Sequence, residues 1–451
     1  MYNIIKIQDF FIVPLILVII YVISTRIKNK NIEDKPYYKY FRIGLFIKIL
    51  GGFVFVGIYL FYYGGGDTIS YYLGTKSIVS MLGKSTYTFF ELLKGNLSEE
   101  VYSMFDRTTG WPTYFHDVNS FAVCRYNTVF YILGLGSYIG NTIVMDAVLY
   151  IGIWRFYKML ITIHPDNIKL FAFAMFFIPS IVFWGSGILK DGWTFTATLF
   201  MFTNFYNIFI KKNKVIKNII ALLFWSYISF SIRPYVFYAT IGSGFIWIAF
   251  SSIKSIRSAF LRTIALPFIL IATWIAGTLT IAKTGALAGS RYSSIDAMLE
   301  TAWIIQDDLK KDYYGGNSFN IGAFEPTIPG ILAKAPIAIV SGLFRPFLWE
   351  GKRTVLMTIS GIESMLLFFI MIYVFIKLKI IFFFKVLFDD PLMIALFTLS
   401  ITFAFSVGLT TANFGALVRY AIPAKGVLII IFSYMVNKIK SKDEKLAVTK
   451  G

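Results

Sequence analysis

The hydrophobic positions of this chain form long unbroken stretches and not an alternating pattern. Each main stretch approaches the roughly 20 residues that an α-helix needs to cross a hydrocarbon core about 30 Å thick. Backbone polar groups find no water inside a bilayer, so such stretches have to be helices. The pattern predicts eleven membrane helices, at residues 10–25, 41–63, 138–160, 170–185, 194–210, 217–232, 235–251, 263–282, 355–376, 389–408 and 421–437.

Two weaker apolar stretches, 121–136 and 328–348, are predicted to be re-entrant, interfacial or additional spanning helices, which gives a range of 11–13. The first apolar segment runs without a small-residue cleavage site into Thr25 and Arg26, which favours a retained helix over a cleaved signal peptide. The predicted fold class is therefore all-α, a polytopic bundle of membrane helices.

Lys and Arg residues select the orientation, because they concentrate in cytoplasmic loops. With the N-terminus outside and the C-terminus in the cytoplasm, the loops predicted to be cytoplasmic hold 24 of the 43 Lys and Arg residues but only 7 of the 24 Asp and Glu residues. Residues 1–451 are predicted to form one membrane domain with two long extracytoplasmic segments, 64–137 and 283–354, and a basic cytoplasmic tail, 438–451.

Composition supports the membrane class, with 57% hydrophobic and 15% charged residues, where soluble domains average about 25% charged. One cysteine excludes an internal disulfide, and the two histidines argue against a His-based zinc site. No Asp-x-Asp occurs, which argues against a divalent metal. We therefore expect neither a metal nor a cofactor. The basic charge, spread over short loops, indicates topology and contact with anionic lipid, and not nucleic-acid binding.

A glycine-rich cluster follows the second helix: Tyr63-Gly-Gly-Gly-Asp67-Thr-Ile-Ser-Tyr71. The glycines allow a sharp turn and a close approach of the backbone to a ligand. They present Asp67 at the membrane surface, with Tyr71 one turn away if the segment is helical. The alternative is a flexible turn with a solvated acid.

A second cluster places Lys190 and Asp191 between two apolar helices, after Gly185-Ser-Gly187. Charge near hydrocarbon is costly and usually functional, and a broken helix end offers free N–H groups to an anion. The alternative is Lys190 reaching to the interface beside its own counter-ion.

Three arginines lie at outer helix ends or in interfacial stretches, where basic residues are disfavoured: Arg233, Arg345 and Arg419. Arginine binds phosphate oxygens through two parallel hydrogen bonds. Together with Lys190, these residues indicate a site for a strongly anionic group, with scattered interface anchors as the alternative. Asp146, Glu363, Lys48 and Lys425 fall within or near apolar spans, where each could make a polar contact between helices.

Two carboxylates and four cations at one membrane face fit a lipid-linked phosphate or diphosphate. The cations would stabilise the diphosphate as a leaving group, and Asp67 or Asp191 would accept the proton of an attacking sugar hydroxyl. That chemistry is glycosyl transfer from a polyprenyl-linked donor.

Gly-Gly-Asp67-x-x-x-Tyr71 resembles the G-x-D-x-x-x-Y segment of Wzy/EpsG-type exopolysaccharide or O-antigen polymerases. Arg419-Tyr-Ala-Ile-Pro423 is similar to an Arg-Tyr-x-x-Pro segment of GT-C membrane glycosyltransferases. Those enzymes usually place their acidic residue after the first helix, whereas Asp67 follows the second. The resemblance implies extension or joining of lipid-linked saccharides outside the cytoplasmic (inner) membrane, without a nucleotide-sugar cofactor.

Three functions stay open at this point: a polysaccharide polymerase, a GT-C transferase of a single sugar, and a transporter or flippase of a lipid-linked or anionic substrate. Transporters tend to show repeated halves with paired broken helices, and no repeat is visible. The expected partners are a polyprenyl-linked saccharide and membrane lipid, with no nucleic acid. The sequence does not indicate the oligomeric state.

Overall fold

The structure, a computed structural model, describes residues 4–256, 290–292, 294–309, 317–350 and 354–448, with Lys311 and short stretches between 275 and 285. Within this part of the chain every regular element is a helix, and the β-type pairing found there is one isolated bridge between Ser318 and Asn413. The all-α prediction is confirmed. The predicted helix at 263–282 lies largely outside the described residues.

The described residues include twenty α-helices. They are α1 Asp9–Ile32, α2 Lys39–Gly57, α3 Asp67–Ser80, α4 Thr86–Lys94, α5 Glu99–Ser103, α6 Val118–Leu133, α7 Tyr138–Ile163, α8 Ile168–Phe176, α9 Pro179–Trp184, α10 Lys190–Phe205, α11 Val215–Ile232, α12 Pro234–Ser255, α13 Ile295–Asp308, α14 Ile328–Ala333, α15 Ala335–Phe344, α16 Val355–Leu378, α17 Ile380–Phe388, α18 Pro391–Thr410, α19 Phe414–Tyr420 and α20 Ile422–Val448.

Seven helical segments in the described residues are long and apolar enough to cross a membrane: Asp9–Ile32, Pro36–Tyr62, Val215–Ile232, Pro234–Lys254, Val355–Leu378, Pro391–Thr410 and Ile422–Ser441. Each coincides with one of the eleven predicted helices. An eighth span results if α6 and α7, which meet at an angle of 104°, count as one bent pair. These spans establish a helical membrane protein.

The predicted helix 170–185 is interrupted in the structure. α8 ends at Phe176, and Ile178 is extended before Pro179 opens α9. The residue before a proline avoids the helical conformation, and proline itself lacks the N–H of a continuing helix. The chain then leaves α9 at Gly185 and starts α10 at Lys190, earlier than the predicted start at 194.

The chain packs into two compact units. The first comprises Met1–Lys158, Phe176–Phe200 and Tyr227–Arg233, and the second comprises Met159–Met175, Met201–Ser226 and Pro234–Gly451.

In the first unit, α3 packs along α6. The Thr75 hydroxyl donates to the Cys124 carbonyl at 3.1 Å, and the Tyr72 hydroxyl donates to the Gly136 carbonyl at 2.8 Å. This long segment, predicted to be extracytoplasmic with a weak apolar stretch at 121–136, is therefore largely helical, and α6 covers most of that stretch.

In the second unit, α18 lies centrally and packs against α12, α15 and α20. Three contacts join helix ends that were all predicted to be cytoplasmic. His164 Nε2 lies 3.1 Å from Asp390 Oδ2. Lys254 donates to the Asp389 carbonyl at 2.7 Å, and Asn437 donates to the Asp166 carbonyl at 3.4 Å. Four segments assigned to one membrane face from charge alone thus meet one another.

Candidate functional site

The glycine-rich cluster forms a tight turn between α2 and α3. α2 continues into one π-helical turn, Ile58–Tyr62, and α3 begins at Asp67 directly after Gly66. Gly66 has a φ of 122°, in the region that favours glycine, and a Cβ there would lie 2.8 Å from the Tyr59 ring. A side chain at position 66 would therefore displace the start of α3 and the carboxylate it presents.

Asp67 and Tyr71 are linked through Tyr114. The Tyr114 hydroxyl donates a hydrogen bond of 2.8 Å to Asp67 Oδ1, and its ring lies 4.9 Å from the ring of Tyr71. Tyr71 is buried, at 2% exposure, whereas Asp67 and Tyr114 are half-buried. Tyr71 therefore supports Tyr114, and Asp67 keeps an accessible edge.

The loop that carries Tyr114 also carries Asp117. The Asp117 N–H donates to the Tyr114 carbonyl at 3.0 Å, and its carboxylate caps α6 by accepting from the backbone of Asn119 and Ser120. Desolvation raises the pKa of Asp117, but the charge of Lys190 and the Ser120 and Asn119 hydrogen bonds outweigh it, so the pKa lies below its usual value. Lys190 thus lies within electrostatic range of Asp117.

Asp191 and Arg233 form a buried ion pair. Arg233 Nη1 lies 2.6 Å from Asp191 Oδ1, with side-chain exposures of 7% and 3%. Asp191 is in the first turn of α10, and Arg233 joins α11 to α12. Their charges are satisfied by each other inside the protein, which fixes the start of α10 against the end of α11.

The last turn of α11, at Ser231, connects this ion pair to α6. Asn119 donates to the Ser231 carbonyl at 2.8 Å, and the hydroxyls of Tyr126 and Ser231 lie 2.6 Å apart. The rings of Tyr126 and Phe130 lie 5.8 and 5.5 Å from the indole of Trp193. The result is one continuous network, named here the Asp67–Arg233 network, that contains Asp67, Tyr71, Tyr114, Asp117, Asn119, Lys190, Asp191, Ser231 and Arg233.

Five of the seven predicted site residues belong to this network: Asp67, Tyr71, Lys190, Asp191 and Arg233. The other two, Arg345 and Arg419, lie in the second unit. Arg345 Nε lies 3.1 Å from Glu350 Oε1, and its guanidinium lies 5.1 Å above the Phe319 ring. Arg345 Nη1 is buried without a hydrogen-bond partner among the described residues. Arg419 is half-buried at the end of α19, 5.6 Å from the Tyr420 ring.

A buried lysine holds the break that precedes Lys190. Lys48 Nζ donates to the Gly185 carbonyl at 2.6 Å and lies 3.3 Å from Asp146 Oδ1, while the Ser186 hydroxyl donates to the Lys48 carbonyl at 3.0 Å. Gly187 has a φ of 79°, and a Cβ there would overlap the Phe55 ring. Lys48 therefore satisfies a carbonyl that the broken helix leaves open.

The second unit contains a comparable contact. Lys425 Nζ donates to the Arg345 carbonyl at 2.9 Å and to the Ser364 hydroxyl at 2.7 Å. Two of the four charges that the sequence places near apolar spans, Lys48 and Asp146, thus pair with each other, and Lys425 fixes the backbone beside Arg345.

Neither Tyr114 nor Asp117 is among the site residues predicted from the sequence. Both lie in the segment before α6 and not beside the glycine or Gly-Ser-Gly signals. One local signal was present, because Asp117 precedes an apolar run at the position of a helix N-cap. Nothing in the sequence pairs Tyr114 with Asp67, 47 residues away.

Exposure divides the network into two layers. Asp67, Lys190 and Tyr114 are half-buried and Asp117 is exposed, whereas Asp191 and Arg233 are buried. The accessible layer offers a carboxylate beside a phenol, and an ammonium group beside a second carboxylate. It can accept a proton and hold an anion, while the buried ion pair positions Lys190.

Among the described residues, no group of three or more His, Cys, Asp or Glu side chains is arranged to hold a metal ion. Comparisons with protein-family models, with curated proteins and with solved structures find no match.

Proposed function

We propose that this protein is a membrane glycosyltransferase that acts at the extracytoplasmic face on polyprenyl-(di)phosphate-linked saccharides. Its product would be an extended or polymerised cell-surface polysaccharide, and its location the cytoplasmic membrane. The observation that carries the proposal is the accessible layer of the Asp67–Arg233 network. Four chain segments, all assigned to the outer face from charge, bring a carboxylate and a cation together there.

In the proposed reaction, Asp67 is the general base. Its Oδ1 accepts a hydrogen bond from the Tyr114 hydroxyl, and the residue is half-buried. Asp191 suits this role less, because it is 3% exposed and its Oδ1 already lies 2.6 Å from Nη1 of Arg233. A general base has to lie within hydrogen-bond reach of the proton it removes.

In this reaction an acceptor sugar hydroxyl attacks the anomeric carbon of the donor, and its proton passes to Asp67. The bond between the anomeric carbon and the phosphate oxygen breaks, and its electron pair leaves with the lipid (di)phosphate. Lys190 would stabilise the charge that develops on that phosphate.

The number and direction of the membrane helices belong to the same proposal. Seven spans plus the bent α6–α7 pair account for eight of the eleven proposed helices. The broken α8–α9 and α10 with its following turn cover two others, at 170–185 and 194–210. The excess of Lys and Arg on the other loops supports an external N-terminus and a cytoplasmic C-terminus.

Reconstitution into vesicles with a polyprenyl-diphosphate-linked oligosaccharide tests the proposal. The protein should convert this substrate to longer lipid-linked chains. Asp67→Asn should lower the rate about 10²–10⁴-fold, the usual contribution of a general base, with an unchanged unfolding midpoint. Asp166→Asn, an exposed acid elsewhere, serves as the control. A product with a single added sugar would indicate the GT-C alternative.

One observation favours transport as the second candidate. The Lys48–Asp146 pair lies near the middle of the Pro36–Tyr62 span, beside a broken helix, an arrangement that transporters use for substrate and ion sites. An assay in the same vesicles distinguishes transport from glycosyl transfer. Movement of the unaltered lipid-linked substrate between leaflets, without a new glycosidic bond, would replace the enzyme proposal with a flippase.

A further inference from the structure

The short helix α17 connects the ends of two membrane spans in the second unit. α16 ends at Leu378, α18 begins at Pro391, and the 9 residues Ile380–Phe388 lie between them. A helix of that length extends about 13.5 Å, less than half of a hydrocarbon core about 30 Å thick. Because both spans have an end here, α17 stays at one membrane face, which the distribution of Lys and Arg residues assigns to the cytoplasm.

One face of α17 packs into the helix bundle. Phe383 and Leu387 lie one turn apart on this face and are 1% and 0% exposed. The Phe383 ring lies 5.0 Å from the Phe375 ring of α16 and 6.3 Å from the Phe397 ring of α18. These contacts fix the rotation of α17 about its own axis, and so determine which of its residues point away from the protein.

The opposite face of α17 exposes large apolar side chains. Ile381, Phe384 and Phe388 have the i, i+3, i+7 spacing of one helix face and are 79%, 39% and 52% exposed. Ile376, in the last turn of α16, is 72% exposed, so exposed apolar residues lead from a membrane span onto α17. A surface helix in water has polar residues on its outer face, and α17 therefore does not fit an aqueous connecting loop.

Three exposed lysines lie in and around α17: Lys377, Lys379 and Lys385. Lys385 Nζ lies 5.8 Å from the centre of the Phe382 ring. A lysine side chain can lie along apolar surface while its ammonium group reaches the lipid head groups. Large apolar residues combined with lysines are typical of helices that lie in the membrane interface, with the apolar face about 5–10 Å deep at the boundary of head groups and acyl chains.

We propose that α17 lies in the plane of the membrane, with the face formed by Ile381, Phe384 and Phe388 inserted among the acyl chains of the adjacent leaflet. Lipid is favoured as the occupant over a second copy of the chain, because this face follows directly on the exposed apolar side of α16, a membrane span surrounded by lipid. α17 shares no residue with the Asp67–Arg233 network, so the proposal is independent of the proposed enzyme activity.

Nitroxide spin labels on introduced cysteines test this placement, with the full-length protein in lipid nanodiscs that contain a single copy. The native Cys124 is buried and gives little background. Labels at Ile381→Cys and Phe388→Cys should collide often with oxygen, which concentrates among acyl chains, and rarely with a water-soluble nickel chelate. Their ratio of oxygen to nickel accessibility should match that of Ile376→Cys on α16 and exceed several-fold that of Lys212→Cys in an exposed loop.

Two results would overturn the proposal. A nickel accessibility at Ile381→Cys equal to that at Lys212→Cys would place this face of α17 in water. Protection from nickel that appears only in nanodiscs with two copies would identify a second copy of the chain as the occupant. Unfolding midpoints close to that of the wild type establish that the labelled variants fold, and Ile381→Cys, at the most exposed position of the face, decides the test if Phe388→Cys is unstable.

Discussion

The ammonium group of Lys48 lies 3.3 Å from the Asp146 carboxylate and 2.6 Å from the Gly185 carbonyl, with both charged side chains almost completely buried. Lys48 thereby connects α2 and α7 to the break between α9 and α10. Five residues beyond Gly185, α10 begins with Lys190 and Asp191. We infer that the buried pair positions the start of α10, and with it the cation of the proposed site.

Replacing one residue of the Lys48–Asp146 pair should lower the free energy of unfolding more than replacing both residues. Lys48→Met leaves Asp146 buried and unpaired, which we expect to cost about 3–5 kcal/mol, whereas an apolar pair of similar volume is often tolerated. Lys48→Met/Asp146→Leu should therefore recover much of the loss in unfolding midpoint, measured by thermal denaturation in detergent. Lys94→Met, at an exposed ion pair, should leave the midpoint unchanged. A double variant as unstable as the single one would contradict a role of charge pairing.

Two substitutions at Asp117 should separate its effect on the stability of the protein from its effect on substrate binding. Asp117→Ala removes the cap of α6 and should cost about 1 kcal/mol, whereas Asp117→Asn keeps an equally good capping residue and should leave the unfolding midpoint close to that of the wild type. Asn also removes the negative charge near Lys190. We therefore expect Asp117→Asn to lower the KM for the lipid diphosphate several-fold.

The comparison of the wild type with Asp117→Asn requires a pH at which the wild-type carboxylate is charged. Because the pKa of Asp117 lies below its usual value, the wild-type carboxylate stays charged at neutral pH, where the assay is run. An unchanged KM in Asp117→Asn, with unchanged stability, would indicate that Lys190 does not contact the phosphate.

Hydropathy predicted the long membrane helices because the bilayer imposes their length and their helical backbone. All seven spans in the described residues match predicted ones. It was wrong about the continuity of 170–185, where Pro179 and the Gly185 turn interrupt the helix. The break after α9 is held by Lys48, whose partner carbonyl is 137 residues away, and a periodicity within one segment contains no such information.

The candidate site was predictable only in part. Charge at apolar helix ends is rare enough to select Lys190, Asp191 and Arg233, and three consecutive glycines mark Asp67. The sequence did not distinguish accessible from buried charge, since that depends on which segments pack together. The ion pair that buries Asp191 joins residues 42 positions apart. Tyr114 was missed because a tyrosine in an aromatic-rich chain has no distinguishing local pattern.

The orientation of the chain in the membrane can be tested by labelling introduced cysteines. Its single cysteine, Cys124, is fully buried, so the protein offers a low background for a membrane-impermeant maleimide. We expect Thr113→Cys, exposed beside the candidate site, to be labelled in intact cells. Lys212→Cys, exposed in a loop proposed to be cytoplasmic, should react only after permeabilisation. The reverse pattern would move the site to the cytoplasmic face and exclude an extracytoplasmic reaction.

Acidification should destabilise the junction between the helix ends at which His164 lies beside Asp390. Burial raises the pKa of Asp390, but the hydrogen bond and charge of His164 and the N–H groups of Met393 and Leu392 outweigh it, so the pKa lies below its usual value. A carboxyl with a depressed pKa in the folded state stabilises the protein fully above its unfolded pKa of about 3.9. That contribution is lost as the pH falls through the folded value.

Asp390→Asn isolates this contribution, because Asn still caps α18 but lacks the charge that faces His164. At pH 7 we expect the variant to be less stable by about 1.5–3 kcal/mol, the usual contribution of a hydrogen bond to a charged group. Unfolding midpoints measured from pH 7 to pH 3 should converge below about pH 4, since the wild-type carboxyl is then increasingly protonated. Asp166→Asn, exposed nearby, should follow the wild type throughout. Curves for wild type and Asp390→Asn that stay parallel down to pH 3 would show that the Asp390 charge does not stabilise this helix junction.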